Sequence, residues 1–228
     1  MTEQMSFNFP QEENYSANNF IVFSGNLEAF CLLNQARDDS EALGNQIIFL
    51  HGEEKSGKTH LGQIWRHNHG AINMDLQELV KLDFEEFVPK IGSIIEKLEY
   101  YLFDNFPSDI EEDKFFYLIN TVITNGSSAL FITRDSIPKK HRTMKDLESR
   151  IRGGIDIRIG KLSSDAKPML INKLFADRQI FLGGDLLKYL NTKLGTNYRE
   201  IYDHINRIVL EVSNGGQRLT ISFLKTIL

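Results

Sequence analysis

Cysteine is almost missing from these 228 residues, with Cys31 alone. No disulfide can therefore form within the chain, which fits a reducing cytosol. Cys31 sits in the apolar stretch Ala29-Phe30-Cys31-Leu32-Leu33 and reads as a buried packing residue rather than a nucleophile, because a free thiol behaves as a small hydrophobe. No apolar run is long enough to span a membrane. Met1-Thr2-Glu3-Gln4-Met5 lacks the basic and apolar regions of a signal peptide, so a cytoplasmic protein is expected. Positive charge is not in excess either. Lys and Arg number 26 against 31 Asp and Glu, a formal charge of −5. A protein held on DNA mainly through phosphate neutralisation is usually basic, so the balance counts against that role. Internal repeats and low-complexity runs are absent.

What is present is an ordinary globular composition, 41% hydrophobic and 25% charged, enough for a core of normal size. Residues 1–18 are polar, rich in Asn, Gln and Glu, and read as a flexible tail. A helix is expected from about Leu27 to Gln35, followed by a polar connection from Asp38 to Asn45. Five short β-forming runs then recur: Gln46–His51, Ala71–Met74, Tyr100–Phe103, Ala129–Thr133 and Ile155–Ile159. Helical patterns lie between them, such as Phe115 to Ile123, and alternation of this kind means βαβ units with a parallel sheet. After Gly160 the strand signals stop. Ser163-Ser164-Asp165, Gly183-Gly184-Asp185, Thr196-Asn197 and Thr220 each open a helix. The expected organisation is therefore the tail (1–18), an α/β domain (19–160) and a small all-helical lid (161–228).

Gly52-Glu53-Glu54-Lys55-Ser56-Gly57-Lys58-Thr59 fits the phosphate-binding Walker A pattern in full, between a strand and a helix. Its glycines let backbone N–H groups turn inward at phosphate oxygens. Lys58 is placed to reach the β- and γ-phosphates, Thr59 to offer its hydroxyl to Mg²⁺, and the next helix to direct its positive end at the anion. Tyr100-Tyr101-Leu102-Phe103-Asp104 supplies the carboxylate that nucleotide sites use to hold Mg²⁺ through water; the competing role is an ordinary strand-ending Asp in a turn.

Other groups carry less. His51, His60, His67 and His69 come without a cysteine pair or a His-Glu-x-x-His pattern, so surface histidines are expected rather than a metal site. Glu111-Glu112-Asp113 reads as an acidic helix start, favoured by the helix dipole. Lys139-Lys140-His141-Arg142 reads first as a solvated loop, with a contact for DNA or a partner as the alternative, and Trp65 as a packing residue.

The motifs together resemble one family. In order they are Lys58-Thr59-His60-Leu61, Phe103-Asp104, Phe131-Ile132-Thr133-Arg134-Asp135, Asp146-Leu147-Glu148-Ser149-Arg150 and Asn197-Tyr198-Arg199-Glu200. From about Phe20 to its end the chain resembles the AAA+ module of the DnaA/Hda family of bacterial replication proteins. Stopping after the lid, it is closer to the short Hda-type inactivators than to DnaA. The stretch Lys173–Gln179 is similar to those of alphaproteobacteria. The resemblance implies a P-loop AAA+ sheet flanked by helices, with the helical lid behind it. It implies ADP or ATP with Mg²⁺, held by Gly52–Thr59, His60, Asp104, Thr133 at the sensor-1 position and Arg199 at the sensor-2 position. Arg134 departs from the usual family residue. Asn105 stands where AAA+ ATPases usually have the acid that activates water, so intrinsic turnover is expected to be slow or absent. Arg150 takes the place of the arginine finger, which acts in a neighbouring subunit; Arg152 is a nearby alternative, and a salt bridge with Glu148 or Asp146 is the competing role. Gln4-Met5-Ser6-Phe7-Asn8-Phe9 resembles the peptide by which Hda-type proteins bind the DNA polymerase sliding clamp. The implied partners are that clamp, DnaA, DNA indirectly, and a second copy in a homodimer or nucleotide-dependent oligomer. The implied function is control of replication initiation by stimulating hydrolysis of DnaA-bound ATP. The same module also suits a DnaA-like assembly unit that recruits or loads another replication factor.

Overall fold

Each of the five β-forming runs becomes a strand, and every pairing is parallel. A computed structural model describes residues 15–34, 46–97, 99–107, 109–137, 143–215 and 218–228. The strands are β1 (Ile47–Gly52), β2 (Ile72–Asn73), β3 (Tyr100–Phe103), β4 (Ser128–Thr133) and β5 (Ile155–Ile159), in spatial order β2-β3-β4-β1-β5. The central strands β1, β3 and β4 are buried along their whole length. That is why they read as unbroken apolar runs: helices cover both of their faces. At the edge, β5 alternates, with Ile157 and Ile159 buried and Asp156 and Arg158 exposed.

Among the described residues five helices flank the sheet: α1 (Leu27–Leu33), α2 (Lys58–His69), α3 (Phe84–Ile94), α4 (Glu112–Thr124) and α5 (Lys145–Arg152). Successive strand residues point to opposite faces, so the core has two halves. On one face Phe49, Tyr101, Phe103 and Phe131 meet Phe87 and Ile91 of α3, Phe115 and Leu118 of α4, and Leu147 and Ile151 of α5. On the other, Ile48, Leu50, Leu102, Leu130 and Ile132 meet Ala29 and Leu33 of α1 and Leu61, Ile64 and Trp65 of α2. At Gly62 a Cβ would lie 2.4 Å from Ile132 Cδ1, so a larger residue there would force the Ile132 side chain to shift.

Two features differ from expectation, and a third lies where the sequence analysis placed no element. Cys31 is exposed, because α1 turns Ala29 and Leu33, one turn apart, toward the core and so places position 31 outward. His51 and His69 are buried rather than on the surface. His51 belongs to central β1, and His69 stacks on Tyr100 with ring centroids 4.9 Å apart. Finally, α3 carries Pro89 inside it, a residue that removes a helical hydrogen bond. Burial of Phe87 and Ile91 outweighs that loss, and Asp83 caps the start by accepting from the Glu86 N–H (2.9 Å).

The described residues form two compact units, 15–160 and 161–228. The second is all helical: α6 (Ala166–Ala176), α7 (Gly184–Lys193), α8 (Tyr198–Gly215) and α9 (Ile221–Ile227). Ile171, Leu174, Phe175, Leu190, Ile201, Ile205, Ile208 and Leu224 form its interior. Lys167 is buried there, and its ammonium donates to the carbonyls of Asn191 (2.6 Å) and Leu194 (2.9 Å), a cation at the negative end of α7. Among the described residues no helix is long and apolar enough to cross a membrane.

Phe131 is the centre of the first core half, with ring centroids 4.8 Å from Phe103, 4.9 Å from Phe106, 5.5 Å from Phe49 and 5.8 Å from Phe115. Phe131→Ala is expected to lower unfolding free energy by about 3–5 kcal/mol, measured by urea denaturation. A loss under about 1 kcal/mol would mean that the four neighbouring rings close over the cavity.

Candidate functional site

The chain leaves β1 at Gly52 and enters α2 at Lys58 through a tight loop. Two residues take left-handed backbone, Lys55 (φ 62°) and Gly57 (φ 97°). At Gly57 a side chain would be strained twice over, since a Cβ would also lie 3.0 Å from Phe20 Cε2. The loop wraps Lys58: its ammonium donates to the carbonyls of Gly52 (2.8 Å) and Glu53 (2.7 Å). Burial lowers the Lys58 pKa from its ordinary 10.5, an effect opposed by the negative charges of Asp104 and Glu54 and reinforced by Arg134. The Ser56 hydroxyl is buried in the loop without a hydrogen-bond partner. A buried polar group left unpaired costs free energy, so this loop is built for a further polar ligand.

Neighbouring strands deliver the other groups. Asp104 follows β3, is half-buried, and accepts from the N–H of Asn105 (2.8 Å). Asn105 itself is exposed and left-handed (φ 52°). Thr133 ends β4, in register with His51, and is buried. Its hydroxyl donates to the Asp135 carbonyl (2.7 Å), while the Arg134 carbonyl accepts from Gly52 N–H (3.2 Å) and ties β4 to the loop. Beside them His51 Nε2 lies 3.4 Å from one oxygen of Asp156, whose other oxygen accepts from the Ser136 hydroxyl (3.0 Å). The phosphate-loop residues, Asp104 and Thr133 are thus gathered where β1, β3 and β4 end, the edge at which open α/β sheets bind ligands.

An aromatic wall borders the loop, and the sequence reading did not identify it. A single 3₁₀ turn at Ala17–Asn19 follows Tyr15 and Ser16. His60, on the first turn of α2, donates Nε2–H to the Ser16 carbonyl (3.0 Å). Its ring meets Tyr15 and Phe20 edge-on, with centroids 5.4 and 5.1 Å away, and Phe20 stacks on Phe30 at 5.6 Å. Asn26 pins the segment from below: its side chain accepts from Phe23 N–H (2.8 Å) and donates to the Ile21 carbonyl (2.9 Å). The only signal for this wall was the spacing of aromatics at 15, 20 and 23.

Arg150 is exposed on α5. Glu148 pairs with Arg152 (2.5 Å), so the bridge that competed for Arg150 is made by its neighbour instead. Arg199 belongs to the helical unit, at the start of α8, exposed and 3.7 Å from Asp203. The motif Gln4–Phe9 and the basic run Lys139–Arg142 lie outside the described residues.

The donor set suits an anionic phosphate ligand with a hard cation. Ser56 offers an unpaired hydroxyl, Lys58 an ammonium, and α2 its N-terminal N–H groups. Thr59 and Asp104 are the oxygen ligands that would hold Mg²⁺ together with the phosphates themselves. Among the described residues no cluster of three or more His, Cys, Asp or Glu is placed to hold a metal ion.

No protein-family model matches the chain. Solved structures are similar to it. A DNA replication initiation factor matches with a TM-score of 0.68 and 24% identity over 89% of this chain and 66% of that one. Domain III of the Thermotoga maritima replication initiation protein DnaA matches at 0.77 and 16% over 96% of this chain and 98% of the domain. AMPPCP-bound DnaA from Aquifex aeolicus matches at 0.65 and 24% over 91% and 68%. The chain therefore spans under two thirds to just over two thirds of the longer initiators and nearly all of the isolated domain. These likenesses establish the fold alone: a five-stranded parallel sheet flanked by helices, as in those initiation proteins.

The depressed Lys58 carries a pH signature. Between its folded pKa and 10.5 the unfolded chain binds more protons than the folded one, so stability rises with pH across that window. Lys58→Met is expected to lose this rise. Urea denaturation of both proteins from neutral pH to 10.5 measures it; a stability difference that does not change with pH would contradict the burial effect.

Proposed function

We propose that this chain is an AAA+ control protein of replication initiation, of the Hda type, that binds an adenine nucleotide and stimulates hydrolysis of ATP held by DnaA. The observation that carries the reading is the combination of a complete phosphate loop with an arginine, Arg150, exposed on α5 and left out of the Glu148–Arg152 pair. The fold likeness to initiator proteins, one of them bound to AMPPCP, supports it.

In its own site, the backbone N–H groups of Gly52–Thr59, together with Lys58, bind the phosphates of ADP or ATP. When bound, Mg²⁺ neutralises phosphate charge, and Thr59 and Asp104 hold it. Tyr15, Phe20 and His60 offer flat apolar faces and edges beside the loop, where the base of a nucleotide extends. Thr133 and Arg199 serve as the sensor groups. Asn105 cannot accept a proton from water, so turnover in this site is slow, and the chemistry that matters occurs in the partner.

Toward that partner, the Arg150 guanidinium donates to the oxygens of the transferring γ-phosphoryl group, whose charge grows in the transition state. Gln4–Phe9 docks on the sliding clamp with a glutamine anchor and hydrophobic plugs. The clamp brings the chain to DNA indirectly and raises its effective concentration near DnaA. A cytoplasmic location and a homodimer or nucleotide-dependent oligomer belong to the same reading. The likeness of Lys173–Gln179 to alphaproteobacterial Hda-type proteins is a lead on lineage within the same reading.

The test is hydrolysis of DnaA-bound ATP in the presence of DNA-loaded clamp. Wild type is expected to accelerate it. Arg150→Ala is expected to lose most of that effect, about a hundredfold or more given that fingers contribute about 10³–10⁵ in GTPases, while still binding clamp. Gln4→Ala with Phe9→Ala is expected to keep ADP binding and lose the clamp. A wild-type chain that folds and binds nucleotide but gives no acceleration would replace this reading with the assembly module that recruits or loads another factor.

A further inference from the structure

The helix that carries Arg150 does not cap itself. Met144 occupies the N-cap of α5 and offers no side-chain acceptor, so the first N–H groups of the helix have no local partner. A carboxylate from another element binds the N-cap residue and the residue before it. Glu112, the first residue of α4, accepts from the Thr143 hydroxyl (2.6 Å), from the Met144 N–H (2.8 Å), and from the Thr143 N–H through both oxygens (3.1 and 3.2 Å). Its negative charge also lies at the positive end of the α5 dipole. The acidic cluster at the α4 start thus does more than favour its own helix.

The rest of α5 is held from other directions. Leu147 and Ile151 are buried in the core half that includes Phe115 and Leu118 of α4. At the exit, Gly154 fits so closely that a Cβ would lie 2.7 Å from the Ile47 carbonyl and 2.9 Å from Phe49. Core packing and the exit fix how far α5 lies from the sheet. The segment that enters its first turn is tied to Glu112. Arg150 projects from this helix, and a guanidinium that must reach a phosphoryl group in another molecule has little tolerance in angle.

We infer that Glu112 is a positioning residue for Arg150: it sets the α5 start, and through it the aim of the guanidinium. The inference rests on the reading of Arg150 proposed above. Glu112 touches no substrate. Its substitution acts on the maximal rate that Arg150 supports rather than on binding of the nucleotide or the clamp.

The experiment compares wild type, Arg150→Ala, Glu112→Ala and Glu112→Gln in full-length protein. Three readouts are taken: stimulated hydrolysis of DnaA-bound ATP on DNA-loaded clamp, ADP affinity of the chain's own site, and amide hydrogen exchange of residues 145–152. Glu112→Ala is expected to lower maximal stimulation by about tenfold, with an unchanged half-saturating concentration, unchanged ADP affinity and faster exchange at the start of α5. Glu112→Gln, which keeps one acceptor oxygen, recovers part of the rate. Wild-type stimulation by Glu112→Ala overturns the inference, and so does unaltered exchange in α5. A parallel loss of ADP affinity also overturns it, because the residue would then support the whole domain. Failure of the underlying reading looks different: wild type and Arg150→Ala are then equally inactive, and the role assigned to Glu112 falls with it.

Discussion

The Lys58 ammonium is held by the carbonyls of Gly52 and Glu53, and the candidate site is organised by what that contact requires. A charged group losing water is costly unless several partners replace it. Here the loop's own backbone supplies two, and Asp104 and Glu54 supply opposing charge. To bend around the ammonium, the loop must pass through left-handed backbone at Lys55 and Gly57. To keep the bend in place, Gly52 is tied to the Arg134 carbonyl at the end of β4.

The sheet makes this arrangement rigid. Its three central strands have no solvent-facing side, so their residues are chosen by packing on both faces at once. The stack around Phe131 holds one face and the α2 contact at Gly62 holds the other. Groups carried at the strand ends therefore inherit a precise position from a core that has little freedom. The aromatic wall is attached differently: it hangs on one hydrogen bond from His60 to Ser16, on ring-edge contacts, and on Asn26. That attachment rests on fewer contacts than the strand packing does.

Much of the fold was legible from local pattern. The Tyr100–Phe103 and Ile155–Ile159 strands appear with the boundaries that their β-forming runs indicate, and Glu111–Asp113 does begin α4. These features depend on neighbours within a few residues. The errors share a cause. Whether Cys31 faces inward depends on which side of α1 meets the sheet, and a short apolar run with no polar face cannot show that. His51 and His69 are buried because of where β1 and Tyr100 lie, not because of their own surroundings in sequence. Helix α3, where the sequence analysis placed no element, forms despite Pro89 because burial of Phe87 and Ile91 outweighs the lost hydrogen bond.

By itself, the sequence determined the phosphate loop, the alternation that makes a parallel sheet, and the change to an all-helical unit after Gly160, since each is written in consecutive residues whose spacing matches a backbone period or a turn. Only the tertiary structure decided which distant residues meet. It set His60 against Tyr15 and Ser16, and gave Glu148 to Arg152 rather than to Arg150. It also placed the Glu112 carboxylate at the start of a helix more than thirty residues further on, a separation the structure records as 31 and 32. Side-chain hydrogen bonds of this kind act over about 3 Å, and no periodicity in the chain reports which side chains folding will bring that close.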